Sequence, residues 1–234
     1  SDLSSFASHS VANERNVVKV RDDAPLELLG PLGCGVQTGA GSVMNVLEAK
    51  AGESIAIFGA GGVGLSGVMA AVVLGCKPII VIEPRAERRA LALEVGAHHV
   101  IDPTAPGNVV EQLQALTGGI GLAHAFDTSG IPDVMGQALA ALGPRGKVAL
   151  ISLNKLDAVL PLPLIGAIGR GIMIRGVNMG DSVPHVFIPK LIELIMAGRF
   201  PLQKLVKFYK FEDINQALED QDRGVAVKPI LRMA

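Results

Sequence analysis

The sequence predicts an α/β protein built on a doubly wound, parallel sheet of about six strands. Two observations carry this. From about residue 51 to residue 178, short runs rich in Val and Ile alternate with segments of helical length. The first strand-to-helix turn in that series is the glycine run Gly59-Ala60-Gly61-Gly62-Val63-Gly64. Strands that alternate with helices lie parallel, joined by right-handed crossovers, and are buried on both faces.

The elements follow in order. Residues 54–58 (SIAIF) form a β-run that stops at the glycine turn, and residues 65–74 read as a buried helix of small and branched side chains. Gly75 closes that helix, and residues 78–82 (PIIVI) are a second strand. A charged helix over 85–94 ends before Gly96, and residues 99–101 are a third strand. A helix over 109–116, a strand over 122–127, a helix over 132–142 stopped by Gly143-Pro144, and strands over 148–153 and 173–178 complete the series.

The flanks break the pattern. Residues 1–35 hold a β-like piece at 17–20 and the run Gly30-Pro31-Leu32-Gly33-Cys34-Gly35. Beyond residue 178 come an amphipathic helix over 188–197, a strand over 205–211, a short helix over 214–220 and a final strand over 225–232. These pieces fit no further βαβ unit and read as parts of a second domain into which the core is inserted.

Composition narrows the function. The chain has 234 residues, 49% of them hydrophobic and 18% charged, which excludes intrinsic disorder. A net charge of −1, 3% aromatic residues and no Trp argue against a nucleic-acid platform, which needs a basic field and stacking rings. Two Cys cannot build a disulfide framework or a four-thiolate zinc site, and their scarcity suits the cytoplasm. Residues 65–82 approach the length of a membrane span, but Lys77-Pro78 interrupts them, so a helix followed by a buried strand is expected. The first residue is Ser1, with no signal peptide after it, which points to processing or to part of a longer chain.

The chemistry concentrates at Gly59, Gly61 and Gly64, a G-x-G-x-x-G between strand and helix. The first glycine permits the tight turn, the second lets backbone N–H groups approach a pyrophosphate, and the third lets helix and strand pack closely. The helix start supplies unpaired N–H donors and a positive dipole end. Glu83 ends the second strand 19 residues after Gly64, where a carboxylate accepts from ribose hydroxyls and repels a 2′-phosphate. NAD is therefore expected over NADP, with Arg85 and Arg88 nearby as the complicating charges. Cys76, the pair His98-His99, and His9, His124 and His185 lack partners at ligand spacing and read as packing or surface.

With these residues in hand the chain resembles the zinc-dependent medium-chain alcohol dehydrogenases over almost its whole length. The resemblance rests on Gly33-Cys34-Gly35-Val36-Gln37-Thr38-Gly39, on GAGGVGLS at 59–66, and on VIEPRAERRALALEVGA at 81–97. The tail KFYKFEDINQALEDQDRGVAVKPILRM at 207–233 and the opening Ser4-Ser5-Phe6-Ala7-Ser8-His9 are most similar to the aryl- or benzyl-alcohol branch. It implies a Rossmann coenzyme domain over 36–178, with remnants of a GroES-like catalytic domain at 1–35 and 179–234. It further implies oxidation of an aromatic primary alcohol to the aldehyde, with zinc-assisted hydride transfer to NAD.

Carried over by position, Cys34 matches a catalytic zinc ligand and Thr38 a residue at the nicotinamide end. Gly59, Gly61, Gly62, Val63 and Gly64 match the pyrophosphate loop, and Glu83 and Arg88 the ribose contacts. Thr128 and Ser129 match the adenosine side; Ile151, Leu153, Val177 and Met179 match the nicotinamide surroundings; Lys228 stands where relatives often carry a pyrophosphate-binding Arg. The family's remaining zinc ligands, its proton-relay hydroxyl and its four-Cys lobe have no counterpart here, so Ser1 is expected to lie well inside the natural subunit. Partners implied are a small alcohol or aldehyde and a second copy of the chain, with no nucleic acid and no membrane. Two other readings stand beside this one: a non-catalytic NAD-binding or dimerisation fragment, and a zinc-free medium-chain reductase, against which Cys34 in its GCGxxTG setting counts.

Overall fold

The structure, a computed structural model, describes residue 7 and residues 9–152 and 157–233. The chain divides into two compact units, residues 34–182 and residues 1–33 with 183–234.

The larger unit opens with helix α1 (Gly35–Gly41), followed by β1 (Ile55–Phe58), α2 (Gly62–Leu74), β2 (Ile79–Ile82), α3 (Ala86–Glu94) and β3 (His99–Ile101). It continues with α4 (Val109–Leu116), β4 (Leu122–Asp127), α5 (Pro132–Ala141), β5 (Leu142–Leu150), α6 (Leu164–Arg170) and β6 (Met173–Gly176). All six strands pair in parallel, in the order β3-β2-β1-β4-β5-β6. The order reverses between β1 and β4, and in such sheets ligands bind in the crevice beyond the carboxyl ends of the strands at that point.

Every residue of β1 and β2 is buried, as expected of continuous apolar runs in a parallel sheet. Successive side chains alternate between faces. Ala56, Phe58, Ile80 and Ile82 join Val109, Leu113, Ala138 and Leu139 in one core cluster, and each large side chain so buried contributes about 1.5–3 kcal/mol. On the other face α2 lies close to the sheet because its inner residues are small. A β-carbon on Gly67 would sit 2.7 Å from Phe126 Cε1. Helix α2 ends at Gly75, whose φ of 76° is the left-handed cap expected there.

Helix α1, wholly buried, packs on α2 through an equally close contact. A β-carbon on Gly39 would fall 2.0 Å from the Val63 carbonyl oxygen and 2.9 Å from Ser66 Cβ. The TG of the GCGxxTG run is thus explained by packing: only a residue without a side chain fits between the two helices.

One sequence expectation in this unit is corrected. Strand β5 starts at Leu142, not at residue 148, with a register shift opposite Leu122 and His124. The early start depends on a backbone-to-backbone approach of two glycines; a β-carbon on Gly121 would lie 2.6 Å from the Gly143 amide nitrogen. The Pro-bearing apolar stretch at 158–168 is helical from Leu164 onward, and it leaves Leu164, Ile165 and Ile168 66%, 89% and 78% exposed. This helix contacts β5 and is followed in the chain by β6, an edge strand with every residue exposed.

Below the sheet, at the amino end of β4, His124 is 3% exposed and its Nε2 lies 2.7 Å from Glu53 Oε2. Burial holds the imidazole below its ordinary pKa, against the opposing pull of Glu53 and with a smaller contribution from Lys147. Glu53 is in turn lowered by that contact. Burial pushes the Cys76 thiol up to about 11, so it is an inert core side chain. His98 accepts from the Ile79 N–H at 3.0 Å, a packing role.

The smaller unit holds α7 (Pro184–Met196), β7 (Val206–Lys210), α8 (Ile214–Arg223) and β8 (Lys228–Arg232), with β7 and β8 parallel. Phe187, Ile188, Leu191, Ile192 and Ile195 bury one face of α7. Asp220 of α8 accepts from Lys207 Nζ at 2.8 Å, Tyr209 Oη at 2.6 Å and Gln216 Nε2 at 2.9 Å, and these donors hold its carboxyl at about 2. Residues 17–20 form no strand, a further correction: among the described residues no ladder partner stands beside them. No helix of the described residues is long and apolar enough to cross a membrane.

Candidate functional site

At the carboxyl ends of β1, β2 and β4 a cleft of about 470 Å³ opens, its lining including Gly59, Gly61, Glu83, Arg88, Thr128 and Ser129. Residues far apart in the sequence meet there because parallel strands deliver all their carboxyl ends to one side.

The glycine loop forms the floor. Gly59 has a φ of 97°, in the left-handed region, and a β-carbon there would lie 2.4 Å from Thr128 Oγ1. The Thr128 hydroxyl is fixed by donating to the Phe58 carbonyl at 2.8 Å. A β-carbon on Gly64 would lie 1.9 Å from the Gly59 carbonyl oxygen, so this glycine lets the helix start against the turn. Gly61 differs from both. Its backbone is extended, and nothing stands within 4 Å of where its β-carbon would be. The fold does not require glycine there; the space above it is open. Gly62, Val63 and Gly64 form the first turn of α2, and no side chain of the described residues caps that end. The helix presents its backbone donors and positive dipole end to the cleft.

Glu83 forms a wall of the cleft at the end of β2 and is 3% exposed. One carboxylate oxygen accepts from the Ala60 N–H at 2.8 Å and the other from the Arg85 N–H at 3.0 Å. A carboxylate has about four acceptor positions, so two donors fix it and leave room for two more. This bracing was not legible in the sequence, where Glu83 read only as an acceptor for a ligand. Beside it, the Arg88 Nε is buried with no hydrogen-bond partner among the described residues. A buried, unpaired guanidinium nitrogen is costly unless a ligand group answers it.

On the far side Asp127, fully buried, accepts from the Ser129 N–H and hydroxyl at 3.2 and 2.7 Å and from the Gly130 N–H at 3.2 Å. It shapes the turn that carries Thr128 and Ser129. Pro103, Thr104, Ile131, Val134 and Gln137 complete the walls and were missed by sequence reasoning. The one available signal was position: Pro103 and Thr104 follow the carboxyl end of a strand, where parallel sheets place their ligand loops.

Other expected residues lie away from the cleft lining. Thr38 Oγ1 is 3.9 Å from Met179 Sδ and donates to the Cys34 carbonyl at 2.9 Å. Ile151 follows β5, and the Val177 N–H donates to the Leu150 carbonyl at 2.9 Å just past β6. Leu153 lies outside the described residues. Lys228 begins β8 of the smaller unit, paired with Val206.

The cleft fits a dinucleotide: open space over Gly61, uncapped helix donors, a buried carboxylate with acceptors to spare and an unanswered arginine nitrogen. Zinc fares differently. Cys34 is exposed at the start of α1, and among the described residues no three His, Cys, Asp or Glu side chains are grouped to hold a metal. A catalytic zinc takes three protein ligands, so the residues present do not complete such a site.

Comparison with known proteins identifies relatives of the chain. The zinc-binding dehydrogenase family pattern matches residues 62–197, more than half of the chain. Geraniol dehydrogenase of Castellaniella defragrans is 48% identical over 228 residues, which are 97% of this chain and 61% of that protein. Among solved structures, an alcohol dehydrogenase zinc-binding domain protein from Burkholderia ambifaria is 47% identical with a TM-score of 0.93. Benzyl alcohol dehydrogenase from Acinetobacter calcoaceticus is 40% identical, also with a TM-score of 0.93. Each match covers 96% of this chain but 60% and 62% of those proteins, so the chain spans about three fifths of the relatives it matches. On its sequence pattern, its strand order and its glycine loop, this chain belongs to the zinc-binding dehydrogenase family, the medium-chain alcohol dehydrogenases.

Proposed function

We propose that the chain is the coenzyme-binding portion of an NAD-dependent dehydrogenase that oxidises an aromatic primary alcohol to its aldehyde. The observation that carries this reading is the cleft itself, in which an open Gly61 and a buried, braced Glu83 face one volume of about 470 Å³. When bound, NAD supplies the hydride acceptor. The chain's own residues hold it. The backbone of Gly59, Gly61, Gly62, Val63 and Gly64 receives the pyrophosphate, Glu83 accepts from the adenosine ribose hydroxyls, and Arg88 donates beside it. Thr128 and Ser129 flank the adenosine, and Thr38, Ile151, Val177 and Met179 surround the nicotinamide.

In this reading residues 36–178 are the coenzyme domain, and 1–35 and 179–234 are segments of a catalytic domain. Zinc belongs to the whole protein, with Cys34 as the one ligand position here. The exposed apolar side chains of α6 and the exposed edge strand β6 support pairing with a second copy. Two free thiols, Cys34 and Cys76, support a cytoplasmic setting.

Calorimetric titration tests the reading: NAD binds, and NADP binds at least about tenfold more weakly. Equal or reversed affinity removes the argument from Glu83. The lone Cys34 favours one alternative, a fragment that binds NAD without catalysis. Benzyl alcohol and geraniol, named for relatives, are the alcohols to assay. Hydride transfer from either by this chain at the rate of an intact dehydrogenase rules that alternative out.

A further inference from the structure

Arg89 lies outside the expected coenzyme contacts and does not line the cleft, yet its guanidinium ties together two neighbouring loops that do. Its Nη1 donates to the main-chain carbonyls of Glu83 at 2.8 Å and Pro84 at 2.7 Å, which belong to the ribose-side turn. Its Nη2 lies 2.9 Å from Asp102 Oδ2. The other Asp102 oxygen accepts from the Thr104 N–H at 2.9 Å and the Thr104 hydroxyl at 2.6 Å, and Thr104 lines the cleft from the neighbouring loop, the one that follows β3. Both charged side chains are largely withdrawn from water, 19% and 27% exposed, so the pair is screened less than a surface ion pair.

Glu83 is therefore held at two ends. Its carboxylate accepts from Ala60 and Arg85, and its carbonyl accepts from Arg89. A 2′-phosphate could be admitted only if the Glu83 carboxylate moved aside or its turn opened, and the Arg89–Asp102 bridge opposes both. The guanidinium's Nη groups are committed to these acceptors and are turned to the frame of the cleft, not to a ligand.

We propose that Arg89 and Asp102 are a positioning pair that sets discrimination against 2′-phosphorylated adenosine by locking the Glu83 turn and the Thr104 loop into one frame. The inference rests on the dinucleotide reading of the cleft. Neither residue touches the coenzyme, so the expected signature is a change in preference and not a uniform loss.

The test is calorimetry on the 234-residue chain with NAD and NADP, and with adenosine 5′-monophosphate against adenosine 2′,5′-bisphosphate. In Arg89→Met and in Asp102→Asn the NAD:NADP preference falls by about fivefold, with NADP affinity changed least. The double variant loses little beyond either single one, because the two residues act as a unit. Arg89→Lys, which keeps a cation near the same carbonyls, restores most of the preference. Equal proportional losses for NAD and NADP, no change, or additive losses in the double variant overturn the proposal. Failure of the unsubstituted chain to bind NAD overturns the coenzyme reading itself. Should Arg89→Met fail to fold, Asp102→Asn, which keeps the side-chain shape, decides the matter alone.

Discussion

The hydroxyl of Thr128 occupies the space a side chain on Gly59 would need, 2.4 Å from the position of its first carbon, and it is pinned there by the Phe58 carbonyl. The two residues are far apart in the sequence, yet the loop cannot take its shape without both. Gly61, two residues on, has no such neighbour. The contrast separates folding from binding. Gly59→Ala destabilises the chain by about 1–3 kcal/mol, from the clash and from a φ that side chains disfavour. Gly61→Ala unfolds in urea within about 0.5 kcal/mol of the parent, while NAD affinity in a titration falls by about tenfold or more as the methyl group enters the phosphate space. Unchanged NAD affinity in Gly61→Ala contradicts the assignment of the loop.

Glu83→Ala removes the ribose acceptor and the brace on Ala60 and Arg85 together. Its NAD affinity falls and its preference for NAD over NADP drops toward parity. Glu83→Gln keeps one acceptor oxygen and removes the charge that repels a 2′-phosphate. Its NADP affinity therefore rises relative to the parent chain, read by parallel calorimetric titrations.

His124 gives the stability a pH dependence of known sign. Burial holds its folded pKa below the ordinary value of 6.5, so the unfolded chain takes up the proton first. The stability that neutral His124 allows is fully present above pH 6.5 and declines as pH falls below it. Glu53, also lowered, adds stability present above its ordinary 4.5 and lost on further acidification. Urea midpoints at pH 7.5 and 5.5 show the decline in the parent chain, and His124→Leu reduces it.

Asp220 predicts a second acid transition of the same direction. Three donors hold its carboxyl at about 2 against an ordinary 3.8, so its contribution persists above pH 3.8 and vanishes as pH falls through about 2. Asp220→Asn lowers the melting temperature at pH 7. The gap from the parent narrows as pH falls below 3.8, which a calorimetric melt at three pH values measures.

Ile165 and Ile168 are the most exposed apolar side chains of α6. Ile165→Asp with Ile168→Asp lowers the mass seen by light scattering at micromolar concentration and leaves NAD binding intact. The same mass in both proteins counts against this face as the contact.

The sheet and the glycine loop were legible because their signals are local. Buried β-runs of four residues, Gly75 as a left-handed cap and Glu83 at a fixed spacing each need only a short window of sequence. The start of β5 was not, because it depends on Gly121 and Gly143 approaching backbone to backbone. The fate of residues 17–20 depends on ladder partners, which their own alternation does not supply. In the cleft, the floor could be read from its motif, whereas Thr104 and Gln137 arrive on loops without a signature of their own. The Arg89–Asp102 bridge was invisible for a further reason: charges on a polar helix face look alike until the fold chooses their partners.

The contact between Gly39 and Val63 leaves no room for a methyl group between the helix that begins after Cys34 and the helix that bears the phosphate loop. The two helices are therefore mounted against one another, and neither can be re-tuned alone. An engineer who transplants a foreign coenzyme loop into this scaffold should cut before residue 34 and carry α1 along, since a junction between α1 and β1 would separate a pair of surfaces shaped only for each other.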